Sequence, residues 1–239
     1  MTTAQQQELL IRSRNAFRVR DYESARQQLE RLLEEAPHSV TANVLMGIVA
    51  GRTGRPAEAV KRFKTAINKD KKSAEAYNNL AVTLRQMGRF PDAYKAVRTA
   101  KQLNPDRADI HYNEGNILKD LGRTDAARAA YRRALEIDPR FVMAYNNLGN
   151  LHLADGEVSR AIETFSQGLA IDDNHPTLRY NLGLAYEEKG RLGEASEEYE
   201  RSLRSRPGWT EALNNLGIVY QRQERYADAE RAFREIVHL

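Results

Sequence analysis

The sequence predicts an all-α fold, a solenoid of seven helix-turn-helix repeats. The main observation is an alanine that recurs at a constant interval of 34 residues, with no insertion or deletion. A period of this length is typical of stacked helix pairs, in which each pair has an apolar face that it cannot bury alone. The recurring alanines are Ala25, Ala59, Ala93, Ala127, Ala161, Ala195 and Ala229.

The amino-acid composition supports the same fold class. Hydrophobic residues make up 41 % of the chain and charged residues 29 %, as expected for helices with one buried stripe and one solvated face. The formal net charge is only +4, from 37 basic and 33 acidic residues. This balance weighs against a nucleic-acid interface, which usually shows a dense basic stripe with stacking aromatic side chains.

Two absences further limit the class of protein. The chain has no cysteine, which excludes disulfides and thiolate metal sites or nucleophiles. The N-terminal stretch MTTAQQQELLIRSRN lacks the apolar core of a signal peptide, and no stretch is apolar over the length needed to cross a membrane. We therefore expect a cytoplasmic protein without membrane association.

The first helix of each repeat is predicted from the spacing of its apolar residues. In the third repeat these fall at i, i+3, i+4 and i+7, which is one face of a helix, and they are Tyr77, Leu80, Ala81 and Leu84. In register, the repeats predict a single domain over residues 1–239, of which the last repeat is incomplete. The repeats begin at Gln6, Val40, Ala74, Ala108, Val142, Pro176 and Thr210.

The second helix of each repeat follows a short turn. In the third repeat Gly88 ends the first helix, Pro91 lies in the first turn of the second, and Pro105 stops it. Small residues recur at one position of the first helices and large ones at one position of the second, so we expect a close approach there. The small residues are Gly47, Ala81, Gly115, Gly149, Gly183 and Gly217; the large ones are Phe63, Tyr131, Phe165, Tyr199 and Phe233.

These features resemble the tetratricopeptide repeat (TPR) family over residues 6–239. The hallmarks are the small residue on the first helix, the alanine and aromatic residue on the second, and a closing proline. That proline is present as Pro37, Pro105, Pro139 and Pro207, whereas Lys71 and Asp173 replace it in two repeats. The resemblance implies a right-handed superhelix whose concave face is lined mainly by first helices and commonly binds extended peptides.

A row of asparagines is the main candidate site. Each is offset from the buried leucine stripe of its first helix, so stacking should align them along the inner groove. An asparagine can accept from a peptide N–H and donate to a peptide C=O. The row is similar to the asparagine ladder in the TPR superhelix of O-linked N-acetylglucosamine transferases; the alternative is bonding within or between helices. Its members are Asn79, Asn113, Asn147, Asn181 and Asn215, and the first two repeats carry Ile11 and Leu45 instead.

Other residues projected onto the groove predict a polarised surface. Asn116 and Asn150 lie one turn beyond the ladder. Basic residues mark the N-terminal half, and two glutamates make the sixth repeat acidic. We expect this polarity to orient a ligand with its acidic part toward the N-terminal repeats; the alternative is an ordinary solvated face. The charged residues are Arg14, Arg18, Arg52, Arg85, Lys119, Glu187 and Glu188.

Several residues depart from the repeat pattern. Glu114 occupies an apolar position, and we interpret it as a peripheral carboxylate that reaches water or as a polar contact to a ligand or neighbouring chain. Arg12 and Ser13 suggest a polar N-terminal cap. His152 stands at a packing position. At the other end, Ile236, Val237 and Leu239 are expected to be exposed.

The sequence contains no catalytic set. Its five histidines are scattered, without metal-ligand spacing such as HExxH, and we predict neither an enzyme nor a cofactor. The predicted function is a non-catalytic interaction scaffold that binds an extended, acidic peptide or partner segment in its groove. Two alternatives remain: a substrate-targeting module of a larger enzyme such as a glycosyltransferase, and a scaffold that self-assembles through its C-terminal face.

Overall fold

The computed structural model describes residues 2–237, which form fourteen α-helices arranged as seven consecutive pairs. Backbone contacts divide the chain between Ala130 and Tyr131, within α8 (Thr124–Ile137), into an N-terminal and a C-terminal unit. The N-terminal unit contains α1 (Thr3–Arg18), α2 (Tyr22–Glu35), α3 (Val40–Arg52), α4 (Pro56–Lys69), α5 (Ala74–Gln86), α6 (Phe90–Leu103) and α7 (Ala108–Asp120). The C-terminal unit contains α9 (Val142–Ala154), α10 (Val158–Leu169), α11 (Pro176–Glu188), α12 (Leu192–Ser205), α13 (Thr210–Arg222) and α14 (Tyr226–Val237).

The turn inside each pair depends on a residue in the left-handed region. Five of the seven repeats place a glycine there, with φ between 72° and 75°, because a residue without Cβ adopts this conformation at no steric cost. The first and last repeats place Arg20 and Glu224 at the equivalent position, with φ of 62° and 59°. The glycines are Gly54, Gly88, Gly122, Gly156 and Gly190.

The recurring alanines lie where the two helices of a pair meet. All seven are buried, with exposed fractions of 0–2 %. Opposite them, small first-helix residues face large second-helix residues, as expected. A Cβ built on Gly149 would lie under 3.0 Å from the ring of Phe165, and Gly47, Gly183 and Gly217 face Phe63, Tyr199 and Phe233 in the same way. The predicted close approach of the helices is therefore confirmed.

The loops between pairs are tied down by a contact that the repeat pattern did not reveal. A first-helix side chain three residues after the start of the repeat reaches back to the backbone carbonyl six residues earlier. Different residue types make this same bond, so the position has no single signature in the sequence. The bonds join Asn43 to Pro37 at 2.9 Å, His111 to Pro105 at 2.7 Å, Tyr145 to Pro139 at 3.2 Å and Arg179 to Asp173 at 2.6 Å.

The interpretation of Glu114 as a carboxylate that reaches water is wrong. Its exposed fraction is 4 %, and one carboxylate oxygen lies 2.6 Å from Nζ of Lys101 on α6. In the C-terminal unit the equivalent positions are held by Leu169 and Leu182, which belong to one apolar cluster. An ion pair between neighbouring repeats thus takes the place of an apolar pair.

The residues at the two ends and His152 are only partly as expected. Arg12 is exposed, but Ser13 is buried at the small-residue position and donates to the carbonyl of Leu10 at 2.8 Å, so its assignment to a polar cap is wrong. Val237 is 82 % exposed, Ile236 is half-buried, and Leu239 lies outside the described residues. His152 is buried, as predicted for a packing residue, with Nδ1 2.6 Å from a carboxylate oxygen of Glu157.

Candidate functional site

The ladder asparagines lie at equivalent positions on the first helices. Asn79 and Asn113 are on α5 and α7 in the N-terminal unit; Asn147, Asn181 and Asn215 are on α9, α11 and α13 in the C-terminal unit. Four of them are half-buried and Asn181 is buried. The amides of Asn113, Asn181 and Asn215 bond to a residue on the preceding first helix.

In the N-terminal unit, Asn113 connects two first helices. Its Nδ2 donates to Oδ1 of Asn78 on α5 at 3.0 Å. Asn78 in turn donates to Asp109 at 3.1 Å, and both oxygens of that carboxylate accept from Arg107. The orientation of the Asn113 amide is therefore fixed by a chain of buried and half-buried groups, and its Oδ1 accepts no hydrogen bond from the described residues.

The same bond recurs in the C-terminal unit. Nδ2 of Asn181 donates to Oδ1 of Asn146 at 2.8 Å, and Nδ2 of Asn215 donates to the hydroxyl of Tyr180 at 3.1 Å. Both bonds span 35 residues, as does the bond of Asn113 in the other unit. Asn147 accepts from Asn146 at 3.2 Å and donates to the hydroxyl of Tyr131 at 3.5 Å. Four of the five ladder asparagines thus do bond between helices through an amide N–H, whereas the side chain of Asn79 makes no hydrogen bond to the described residues.

The acceptors of these bonds were missed by the sequence analysis. Asn78 and Asn146 precede ladder residues directly, in AYNN segments, and Tyr180 holds the same position in its repeat. The signal was present as an asparagine or tyrosine directly before a ladder position, 35 residues before the next ladder asparagine. Which residue of the preceding first helix accepts from a ladder asparagine depends on how successive first helices are rotated about each other, and that rotation is known only from the structure.

Two ion pairs also join successive first helices. Arg85 Nε lies 2.5 Å from Asp120, and Arg222 lies 2.9 Å from Glu187. The hydroxyl of Tyr199 donates to the other oxygen of Glu187 at 3.0 Å. Arg85 and Glu187 are therefore neutralised within the protein, rather than being free charges of a polarised groove.

The remaining predicted site residues differ in accessibility. Arg52, Lys119 and Glu188 are exposed and make no ion pair with any described residue. Asn150 is exposed, whereas Asn116 is only 6 % exposed. Arg14 and Arg18 are likewise exposed and unpaired within the described chain, so the free charges predicted for this face are Arg14, Arg18, Arg52 and Lys119 in the N-terminal unit and Glu188 in the C-terminal unit.

Burial keeps two phenols of the network protonated. It raises the pKa of Tyr180, and it raises the pKa of Tyr199 further, with the negative charge of Glu187 as the next cause. Both hydroxyls therefore stay neutral beyond the alkaline pH at which an exposed tyrosine ionises. Tyr180 can accept from Asn215 while Tyr199 donates to Glu187.

We call the surface of each unit that carries its ladder asparagines and the adjacent first-helix residues the ladder face. Each unit has a cavity on its ladder face. The cavity of the N-terminal unit has a volume of about 180 Å³ and contains Asn79 and Arg52 beside the side chains of Ile48 and Val82. The cavity of the C-terminal unit is larger, about 540 Å³, and contains Asn215 and Glu188 beside Leu153 and Leu184. Both cavities combine an amide that can bond peptide backbone with apolar walls and one unpaired charge.

Comparison with protein families identifies the fold. Family models described as "Tetratricopeptide repeat" match residues 52–117 and 177–237, and a model described as "TPR repeat" matches residues 115–156 and 149–190. Together they extend from α3 to the last residue of α14. The chain belongs to the tetratricopeptide repeat family. The helix pairs described above are its TPR units, and the fold class is the predicted all-α array of TPR repeats.

Solved TPR structures resemble the chain. The structure described as MamA protein is 25 % identical, with a TM-score of 0.60, over 70 % of this chain and 91 % of that one. PilF of Pseudomonas aeruginosa is 17 % identical, with a TM-score of 0.77, over 93 % and 97 %. YrrB, "a TPR protein with an unusual peptide-binding site", is 19 % identical, with a TM-score of 0.59, over 77 % and 95 %. No curated protein sequence matches the chain.

Two other kinds of feature are absent from the described part of this TPR chain. No helix between residues 2 and 237 combines the length and apolar character of a membrane span. Within the same residues, no three His, Asp or Glu side chains come together in a way that would hold a metal ion.

Proposed function

We propose that this TPR chain is a non-catalytic scaffold that binds an extended segment of a partner protein along its ladder face. One observation carries the proposal. The carbonyl oxygens of Asn113, Asn181 and Asn215 accept no bond from the described residues and are not fully buried, while their amide nitrogens are anchored to the preceding first helix. An anchored amide with a free acceptor is suited to bind peptide backbone.

The anchoring bond lowers the cost of binding. A side-chain amide free in solution must lose rotamer freedom when a ligand binds, whereas these amides are already held in place. Asn113 and Asn181 each keep an oxygen that can accept from a peptide N–H and a second amide hydrogen that can donate to a peptide C=O. Asn215 keeps its oxygen, while its amide also bonds the hydroxyl of Tyr199. At about 0.5–1.5 kcal/mol for each bond, several asparagines would give modest affinity that depends little on ligand sequence.

The unpaired cations of the N-terminal unit supply selectivity in this proposal. Arg52 lines the cavity that contains Asn79, and Lys119 is exposed on α7. Neither is paired with an acidic residue of the described chain, so an acidic ligand side chain would replace only water as their partner. We therefore propose that the part of the ligand bound by this unit is acidic.

The family relationship is consistent with this proposal. YrrB is described as a TPR protein with a peptide-binding site, and its likeness to this chain extends to the fold. Peptide binding is assigned here because of the free asparagine oxygens and the cavities, and the comparison adds that a TPR array can carry out this role.

The test separates ligand binding by the asparagines from their structural role. Peptides selected from a random phage-displayed library on the wild-type chain serve as the probe. Asn113→Ala with Asn181→Ala should abolish or strongly weaken their binding. The control, Asn78→Ala with Asn146→Ala, breaks the same two inter-helix bonds but keeps the ladder oxygens, so it should lose only the contribution of the anchoring and bind clearly better than the Asn113 and Asn181 variant. Equal losses in both variants, or no enriched peptide, would refute the proposal.

A second candidate function is self-association, favoured by one observation on α14. Tyr226 and Val237 are 67 % and 82 % exposed, and they flank an open cavity of about 570 Å³ that Ala229 and Phe233 also line. A second copy of the chain could cover this apolar surface. Light scattering should then show a mass that rises with concentration, and Val237→Lys should keep the chain monomeric at every concentration. A monomeric wild-type chain would exclude this function.

A further inference from the structure

The larger ladder-face cavity has features that neither the repeat pattern nor the family assigns to a ligand. It is formed by α9, α11 and α13, with a volume of about 540 Å³. Its lining consists of Leu153, Leu184, Glu187, Glu188, Asn215 and Arg222. A space of this size beside the ladder can hold a long side chain of a peptide whose backbone is bound by Asn215.

Within the cavity, one charge is left without a partner. Glu187 accepts from Arg222 at 2.9 Å and from the hydroxyl of Tyr199 at 3.0 Å. Arg222 is in turn neutralised by Glu187. Glu188 is exposed and has no ion pair with any described residue. The cavity therefore carries one net negative charge, at a position that opens to solvent.

The walls of the cavity are suited to an alkyl chain. Leu153 and Leu184 are both half-buried in the free protein, so each keeps apolar surface that a ligand can cover. Lysine and arginine side chains combine an aliphatic stem, which packs on apolar surface, with a charged end that stays near water. An acidic side chain would leave Glu188 unpaired and add like charge beside it.

We propose that this cavity is a specificity subsite for a lysine or arginine side chain of the bound segment. The stem packs between Leu153 and Leu184, the charged end pairs with Glu188, and Oδ1 of Asn215 accepts from the ligand backbone. This subsite rests on the proposed function, since it needs a peptide on the ladder face. It adds that the C-terminal unit selects a basic residue, whereas the N-terminal unit carries the opposite charge.

The experiment uses the full chain and the phage-displayed random library. Selections are run on the wild type, on Glu188→Gln, and on the control Glu197→Gln, which removes an exposed charge of α12 outside the cavity. Wild type and control should enrich peptides with lysine or arginine at one fixed position, and Glu188→Gln should lose that preference. Glu188→Lys should replace it with a preference for aspartate or glutamate.

A matched pair of peptides then measures the effect. Replacing the fixed basic residue of a selected peptide by glutamine should weaken binding to the wild type about three- to tenfold, and should change binding to Glu188→Gln by much less. The selected peptides could bind through the ladder asparagines but show no preference for a basic residue, or show a basic preference that persists in Glu188→Gln. Either result would overturn the subsite alone. Absence of any enriched peptide would overturn both the subsite and the proposed function.

Discussion

At the scale of single residues, helix contact within each pair is governed by matched side-chain size. Where the second helix carries a ring, the first helix carries a glycine whose missing Cβ leaves space for that ring, as for Gly149 and Phe165. Where the second helix carries the smaller Val97, the first carries Ala81, and both are fully buried. The volume of the two facing positions is thus kept nearly constant from repeat to repeat.

This size matching predicts a non-additive pair of substitutions. Gly149→Ala should destabilise the protein by about 1–3 kcal/mol, because the new methyl group overlaps the ring of Phe165. Phe165→Val alone should also destabilise it, by leaving a cavity. The double variant reproduces the Ala81–Val97 pair, so its loss should be clearly smaller than the sum of the single losses. Chemical denaturation of the four proteins gives the coupling.

A control for this cycle is available on α3. Gly51 is also a helical glycine, but a Cβ there would meet nothing closer than 4.0 Å. Gly51→Ala should therefore stabilise the chain by about 0.4–1 kcal/mol, because it restricts the unfolded state. If the losses of unfolding free energy in the Gly149 and Phe165 cycle are additive, the methyl group of Gly149→Ala and the ring of Phe165 do not compete for space.

At the scale of helices, the Lys101–Glu114 pair connects α6 to α7 where other repeats use leucines. Glu114 is buried and its partner is about one-third exposed. Loss of the lysine would leave a buried carboxylate whose nearest remaining ionisable neighbour among the described residues is the ring of His111, with Nδ1 at 3.9 Å. Loss of the glutamate would leave a lysine whose amine can turn to water. The two ends of the pair are therefore not equivalent.

The prediction from this asymmetry concerns three variants. Lys101→Leu should destabilise the protein by about 2–4 kcal/mol, and Glu114→Leu by no more than about 1 kcal/mol. The double change to leucine restores the apolar pair of other repeats and should be at least as stable as the wild type, within about 1 kcal/mol. Thermal and denaturant unfolding would measure the series. Equal losses for the two single changes would contradict the proposed asymmetry.

A second contact between helices has a consequence at alkaline pH. Tyr220 on α13 donates to Glu200 on α12 at 2.6 Å. Burial, followed by this bond, raises the pKa of Tyr220 from its usual 10.0 to about 12. Since the unfolded state ionises at the lower pH, stability from this group is fully present below pH 10 and is lost between about pH 10 and 12. In Tyr220→Phe this part of the alkaline loss should be absent. The free energy of unfolding of both proteins, measured from below pH 10 to about pH 12, checks this. A difference between the two proteins that stays constant over this range would contradict the expectation.

At the scale of the whole molecule, the repeat period predicted what all repeats share. It gave the helix pairs, the buried alanines such as Ala127 and the small first-helix positions, because these contacts are made within one repeat. It did not give the pairing of Glu114 with Lys101 or of Asn181 with Asn146. Those pairs cross from one repeat to the next, so they depend on how successive helices are rotated, which a single sequence does not specify.

Contacts within each unit join helices that are neighbours or next neighbours along the chain, so stability should be distributed locally. In the C-terminal unit, Gly149→Ala disturbs the α9–α10 pair directly. Hydrogen exchange should then accelerate most in α9 and α10, less in α11, and least in α13 and α14, because local opening precedes global unfolding in such arrays. Gly193→Ala, where a Cβ would meet no atom within 4 Å, should leave the exchange pattern unchanged. A uniform acceleration across the unit would mean that its repeats open only together, and that the ladder face of α11 and α13 cannot loosen independently of α9.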